Sequence, residues 1–372
     1  MNVRTNKLAA LAALGLTGAL ALSACGGGSD GDKAGGSDKG GAAADVSGSI
    51  AGAGASSMKS AQEAWMASFQ GMHPEAQVTY DGGGSGKGRE AFLNGAVQFA
   101  GSDSAMKEEE LKKASEGTCQ GGNAMDIPAY ISPIAVVFNL KGVDSLNLSP
   151  EALGGIFSGK ITKWNDPKIV ADNPDAKLPD TKIIPVNRSD KSGTTGNFTD
   201  YLAQTAPKEW TAGKVEEWPI EGTQSGNETS GMIEVVKGAD GTIGYADASK
   251  AGDLTIAKIK VGDTWAEPSA EGAAKVVDIS PIEEGRTDND FAVKLDRTTT
   301  ESGAYPLLLV SYLVVCDTYK DAKTADLVKA YASYMVSEEG QKAASKASGS
   351  APLSGKIAED SRKAVEAIKA KG

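Results

Sequence analysis

The sequence predicts an α/β fold made of two doubly wound domains, and two observations carry that prediction. Three times between Ser49 and Lys113 a short apolar segment ends in Gly, Ser or Asp just ahead of a helical stretch. That is the pattern of open α/β sheets, in which ligands gather where strand C-termini face helix N-termini. Two long apolar runs, 128–140 and 307–315, lie far apart in sequence and can carry the chain out of one domain and back again. A chain of 372 residues that is 40% apolar supplies enough material for two cores. Domain I is then expected at 46–131 plus 305–372, and domain II at 132–304.

The segments ahead of domain I are of another kind. Arg4 and Lys7 precede an apolar run from Leu8 to Leu22, which is short for a membrane span and right for a signal peptide over 1–24. Its end, Leu22-Ser23-Ala24-Cys25, resembles a bacterial lipoprotein box, which implies cleavage before Cys25 and a lipid on its sulfur. After Cys25, residues 26–45 are Gly, Ser, Ala, Asp and Lys with no apolar period, so 25–45 reads as a flexible tether.

The elements of the expected fold follow in order. Ser49–Gly54 reads as a strand, and Ser56-Ser57-Met58 opens a helix with Ala64, Trp65 and Phe69 on one stripe. Gln77–Tyr80 is a second strand, followed by Asp81–Gly88 and a helix through Leu93. Val97–Ala100 leads to Gly101-Ser102-Asp103 and a charged helix around Lys107–Lys113. Pro128–Leu140 is a long strand, and Ser149-Pro150 caps the next helix. Lys182–Val186 is a strand, Asn197–Leu202 the start of a helix, Ser225–Lys237 holds Gly226-Asn227-Glu228 ahead of another helix, and Gly241–Tyr245 is a strand. Residues 253–288 are polar and receive no assignment. Leu307–Val315 is the second long strand, and 320–371 is largely helical.

Composition removes several functions. The net charge of −11 disfavours nucleic acid and anionic membrane surfaces as partners. The one histidine, His73, precedes Pro74 in a polar turn, which argues against a His-based triad, and a single histidine cannot build a multi-histidine metal site. Export makes Cys119 and Cys316 candidates for a disulfide, with two buried free thiols as the alternative. Asp81–Gly88 lacks the first Gly and the final Ser or Thr of a phosphate-binding P-loop, and none of Ser85, Ser102 and Ser192 has the flanking glycines of a nucleophile elbow. No cofactor or metal is expected, and nothing argues for an enzyme.

One stretch offers chemistry instead: Val186-Asn187-Arg188-Ser189-Asp190-Lys191-Ser192-Gly193-Thr194-Thr195-Gly196. A strand, a turn of small residues and a helix N-terminus make an anion site, because the first N–H groups of a helix lack partners and carry partial positive charge. Arg188 adds a planar fork suited to a tetrahedral oxyanion, and Asp190 can hold that fork in place.

Together with Gly52-Ala53-Gly54-Ala55-Ser56, Gly84-Ser85-Gly86, Gly101-Ser102-Asp103 and the run Ile156–Asp166, this stretch resembles the phosphate-binding lipoproteins of bacterial phosphate ABC transporters. The resemblance runs in order from about Ser49 to Leu202 and continues weakly to the C-terminus. It implies a Venus-flytrap binding protein of the periplasmic type: two α/β domains, two hinge strands and one phosphate in the cleft. It implies a lipid-anchored, extracytoplasmic, monomeric receptor that delivers inorganic phosphate to a membrane permease. By motif, Ser56 gives its hydroxyl, Ser57 its backbone N–H, and Ser85 both. Asp103 accepts a proton from the ligand, and Arg188 pairs with the anion, steadied by Asp190. Ser192, Gly193 and Thr194 complete the cage. The chain departs from the family where Ser56 replaces Thr, Ser57 an aromatic residue and Lys87 a small one; Lys87 is expected to face solvent. A receptor for sulfate or molybdate and a secreted phosphoryl-transfer enzyme are the competing readings.

Overall fold

The structure, a computed structural model, describes residues 46–372; the signal segment, Cys25 and the tether lie outside the described residues. The chain starts with the expected alternation: β1 (Gly48–Gly54), α1 (Lys59–Met72), β2 (Ala76–Asp81), α2 (Ser85–Leu93), β3 (Phe99–Ser102) and α3 (Glu108–Glu116). Strand β1 lies between β2 and β3 and is parallel to both, so the loops that follow all three strands gather at one sheet edge. Trp65 and Phe69, one helical turn apart on α1, are buried against this sheet, as their spacing predicts.

The next elements are β4 (Ala124–Asn139), β5 (Asn147–Leu148), α4 (Pro150–Phe157), α5 (Pro167–Asp172), β6 (Ile184–Arg188), α6 (Gly193–Thr205), β7 (Gln224–Gly226), α7 (Glu228–Lys237) and β8 (Thr242–Asp247). Pro150 stands in the first turn of α4, and the Ser149 hydroxyl accepts from the Ala152 N–H at 3.3 Å, so the cap read from the sequence is formed.

Residues 253–288 depart from expectation. They hold β9 (Thr255–Val261), β10 (Thr264–Ala266) and α8 (Ala270–Ile279). Strand β9 buries Ala257, Ile259 and Val261 while Lys258 and Lys260 alternate with them, which dilutes the apolar signal. A two-residue turn at Gly262-Asp263, with φ of 55° at the glycine, joins β9 to β10. The chain then runs through β11 (Leu308–Cys316), β12 (Thr318–Tyr319), α9 (Ala322–Met335), α10 (Glu338–Ser348), α11 (Gly355–Glu366) and β13 (Lys369–Ala370). Among the described residues no helix is long and apolar enough to cross a membrane.

The strands form a sheet of order β2-β1-β3-β11-β4-β8-β6-β7. Its centre is β4, which pairs with β11 over Ala124–Pro133 and then with β8 over Ile134–Asn139. One strand therefore belongs to two lobes, and β11 returns beside it. Both strands are buried almost throughout, so their side chains read as apolar on both faces. Strand β4 begins at Ala124, before the apolar run noted in the sequence, because Asp126 interrupts that run without interrupting the pairing. The register slips at Ser311/Tyr312, where Ala129 is the extra residue of a bulge and its carbonyl accepts from Gln341 Nε2 at 2.9 Å. A disulfide joins Cys119, ahead of β4, to Cys316 at the end of β11.

Candidate anion-binding site

The site forms where β6 stops and α6 starts. Only Ser189–Ser192 separate them, since Gly193–Gly196, read from the sequence as part of the turn, already belong to the helix. Ser192 makes this possible: its hydroxyl accepts from the Thr195 N–H at 3.2 Å and caps the helix. The N–H groups of Gly193 and Thr194 then sit at the helix's positive end without intrahelical partners.

Arg188 ends β6 and is buried. Its Nε and one terminal nitrogen donate to the two oxygens of Asp190 at 2.8 and 2.6 Å, a bidentate fork. Asp190 Oδ1 also accepts from the Glu228 N–H at 2.9 Å. Glu228 has φ of 57°, a left-handed conformation costly for a residue with a Cβ, and it aims that N–H at the carboxylate. Asp190 is thereby held by two elements and leaves the outer face of the guanidinium to other partners.

The facing half comes from the loops after β1, β2 and β3. Ser56 Oγ lies 2.9 Å from Thr229 Oγ1 and accepts from the Thr229 N–H at 3.3 Å, so the loop after β1 meets the first turn of α7. Ser85, first residue of α2, accepts from the Asp103 N–H at 3.1 Å and keeps its own proton for another acceptor. Asp103 is 3% exposed and is the hub of the site. Its Oδ1 accepts from Ser57 and Ser311, each at 2.7 Å, and its Oδ2 from Thr194 at 2.8 Å. Asn197 Nδ2 donates to the Asp103 carbonyl at 2.6 Å and to the Gly193 carbonyl at 3.0 Å. The two lobes thus meet on one carboxylate.

Burial raises the pKa of Asp103 above the ordinary carboxylate range, while the hydroxyls of Ser57, Ser311 and Thr194 and the charge of Arg188 oppose that shift. Oδ1 has both acceptor positions filled, whereas Oδ2 has taken one hydrogen bond and has capacity for another. Beneath the site Phe198 stacks on Tyr245 with ring centroids 4.2 Å apart. The Tyr245 hydroxyl lies 2.7 Å from Thr195 Oγ1, and burial pushes its pKa up to about 12, so it stays protonated.

Two glycines are required by close approach. A Cβ on Gly193 would stand 2.6 Å from Ser85 Oγ, and one on Gly84, at φ of 103°, would stand 2.6 Å from Asp190 Oδ2. The structure brings all eight residues expected in the cage together. The Ser57 and Thr194 hydroxyls are turned to Asp103. Asp103 does not cap the next helix, which begins at Glu108. Lys87 is exposed and pairs with Asp81 at 3.2 Å, on the solvent side.

Thr229, Ser311 and Asn197 escaped the sequence reading, although the first two stand out within their segments. Thr229 follows Gly226-Asn227-Glu228, one more small-residue turn ahead of a helix. Ser311 is the one serine in the apolar run 307–315. Among the described residues no cluster of His, Cys, Asp and Glu could hold a metal.

Two lobes, crossing strands and an anion cage between them define a two-lobed binding protein, and comparison with known proteins agrees. A model of the PBP superfamily domain matches residues 40–339. The phosphate-binding protein PstS 2 of Mycobacterium tuberculosis is 32% identical over 84% of this chain and 86% of its own length. PstS 3 of Mycobacterium leprae is 33% identical over 88% of this chain and 90% of its own. PstS of Methanocaldococcus jannaschii is 30% identical over 82% of each. The chain belongs to the PBP superfamily, in the family of the PstS phosphate-binding proteins. Among solved structures, a high-affinity periplasmic phosphate-binding protein bound with phosphate (PfluDING) superposes with a TM-score of 0.68 at 22% identity, covering 85% of this chain and 93% of that one. A phosphate-binding protein from Stenotrophomonas maltophilia gives 0.64 at 21% identity, with the same coverage.

Proposed function

We propose that this chain is the extracytoplasmic receptor for inorganic phosphate of an ABC transporter, a binding protein and not an enzyme. The observation that carries the reading is Asp103. A buried carboxylate in an anion site repels any ligand that brings only lone pairs. It is useful only to an oxyanion that brings a proton, and phosphate near neutral pH carries at least one. That hydroxyl donates to Oδ2, while Arg188, the Ser85 hydroxyl and the N–H groups of Ser57, Gly193 and Thr194 donate to the remaining oxygens. Sulfate of the same shape has no hydrogen for Oδ2. The phosphate-binding names of the relatives support the same ligand.

The lobes are proposed at 46–131 with 305–372 and at 132–304, supported by the exchange of strand partners along β4. Delivery to a permease, a lipid on Cys25 and a monomeric state complete the reading. Calorimetric titration with phosphate and sulfate, beside a turnover assay on a phosphate monoester, tests it. Saturable phosphate binding without turnover is expected; equal affinity for sulfate, or hydrolysis of the ester, would overturn it.

A further inference from the structure

Arg89 is a second buried arginine near the cage, and the phosphate reading gives it no task. It stands one turn after Ser85 on α2, with its guanidinium 1% exposed. Two of its hydrogen bonds stay on its own side: to Ser102 Oγ at 2.8 Å, and from Nε to Glu110 Oε1 at 3.1 Å. The third crosses the cleft to Glu216 Oε2 at 2.6 Å. Glu216 lies between α6 and β7, in a segment fixed to α6: the Val215 N–H donates to Thr199 Oγ1 at 2.9 Å, and that hydroxyl donates back to the Val215 carbonyl at 2.8 Å. The Glu216 carbonyl in turn accepts from the N–H of Ser192 at 3.0 Å, the residue that caps α6. One ion pair therefore links the helix carrying Ser85 to the helix carrying Gly193 and Thr194, without any atom in the cage itself.

The pair is formed but incompletely satisfied. Burial raises the Glu216 pKa, yet Arg89 outweighs burial and the net shift is downward, so the carboxylate is charged at neutral pH. Its other oxygen, Oε1, is buried and makes no hydrogen bond of good geometry among the described residues; the nearby Ser104 hydroxyl helps to hold the charge but is itself left without a well-formed partner. A buried charge with one unsatisfied oxygen regains water when the lobes part, which limits how tightly the pair can hold them. Such a contact suits a catch that releases rather than a permanent staple.

We propose that Arg89 and Glu216 form an interlobe latch that sets how long the closed protein retains its ligand. The proposal rests on the phosphate-receptor reading and adds a residence-time control to it. Association of phosphate depends on the open form, where the pair is apart, so the latch acts on release.

Stopped-flow measurement of phosphate association and release in the wild type and in Glu216→Gln, with the melting temperature of each ligand-free protein, tests the latch. Glutamine keeps the shape and removes the charge. Release should accelerate about tenfold while the association rate and the melting temperature hold, the partition expected when a buried charge pair across an interface is weakened. An unchanged release rate, a slower association alone, or a lowered melting temperature each overturns the latch. A wild type that shows no phosphate binding at all defeats the receptor reading, and the latch with it. Wild-type binding with unaltered release in the variant defeats only the latch.

Discussion

Replacing Asp103 with Asn tests the proton-counting account of selectivity directly, and the structure says how the amide will sit. Two hydroxyls, those of Ser57 and Ser311, point at Oδ1, whereas only Thr194 points at Oδ2. Turning one hydroxyl is easier than turning two, so the amide oxygen takes the Oδ1 place and the NH2 takes that of Oδ2. An N–H donor then stands where the carboxylate offered a lone pair. Phosphate loses a hydrogen bond to a charged acceptor, about 1.5–3 kcal/mol. Sulfate no longer faces an unpaired acceptor, a relief of about 1–3 kcal/mol before charge repulsion is counted. Together these narrow the phosphate-to-sulfate affinity ratio by about two to four powers of ten. Isothermal titration of both anions into both proteins reads the ratio. If Asp103→Asn leaves it unchanged, the carboxylate does not select by the ligand's proton and the account is wrong.

Four further outcomes are expected. Arg188→Ala should cost about 3–5 kcal/mol of phosphate affinity, because the dianion loses its countercharge and Asp190 is left buried without its partner; near-normal affinity by calorimetry would show the cage is misplaced. Exchanging Cys119 and Cys316 together for Ser removes a cross-link spanning 197 residues, nominally about 5 kcal/mol in the chain-entropy model, and should lower the melting temperature by several degrees without reductant; equal melting temperatures would refute that role. Burial, followed by repulsion from Asp290, pushes Asp126 up to about 8, so its stabilising contribution is full in acid and is lost as pH rises through that value. The ligand-free protein should therefore melt lower at pH 9 than at pH 6, with a smaller drop in Asp126→Asn; a flat wild-type profile speaks against it. Cys25→Ala should leave the membrane fraction on cell fractionation, and a variant that stays behind has no lipid anchor at that cysteine.

The fold was legible where local rules and tertiary structure agree. Trp65 and Phe69 keep helical spacing, Ser149-Pro150 caps α4 as such a pair should, and the glycines at or just after the ends of β1, β2 and β3 answer close approach: Gly54 to Gly101, Gly101 to Met58 and Tyr80, and Gly84 and Gly86 to Asp190 and Lys191. It was illegible where packing overrode the local signal. Lys258 and Lys260 hide a strand whose other face is buried, and Asp126 hides the start of β4, because an aspartate in a core strand is tolerated only with the Met106 N–H and Arg286 as partners. The site divides the same way. Residues next to a glycine turn announced themselves, while Ser311 and Asn197 act from a strand and a helix, where only the folded chain brings them to Asp103. Glu216 gave no sign at all: its partner lies 127 positions away.

The cross-link between Cys119 and Cys316 has a mechanical consequence. It pins the end of β11 to the segment entering β4, at the side of the lobe pair farthest along both strands from the exchange at Pro133. Two strands pinned at one end cannot slip past each other in register. They can only flex together, like a leaf spring clamped at its root, so opening and closing must proceed by bending near Pro133 and Leu308 rather than by sliding. Loss of the clamp would add a second, sideways mode of motion, and the two halves of the cage would no longer return to the same alignment on each stroke.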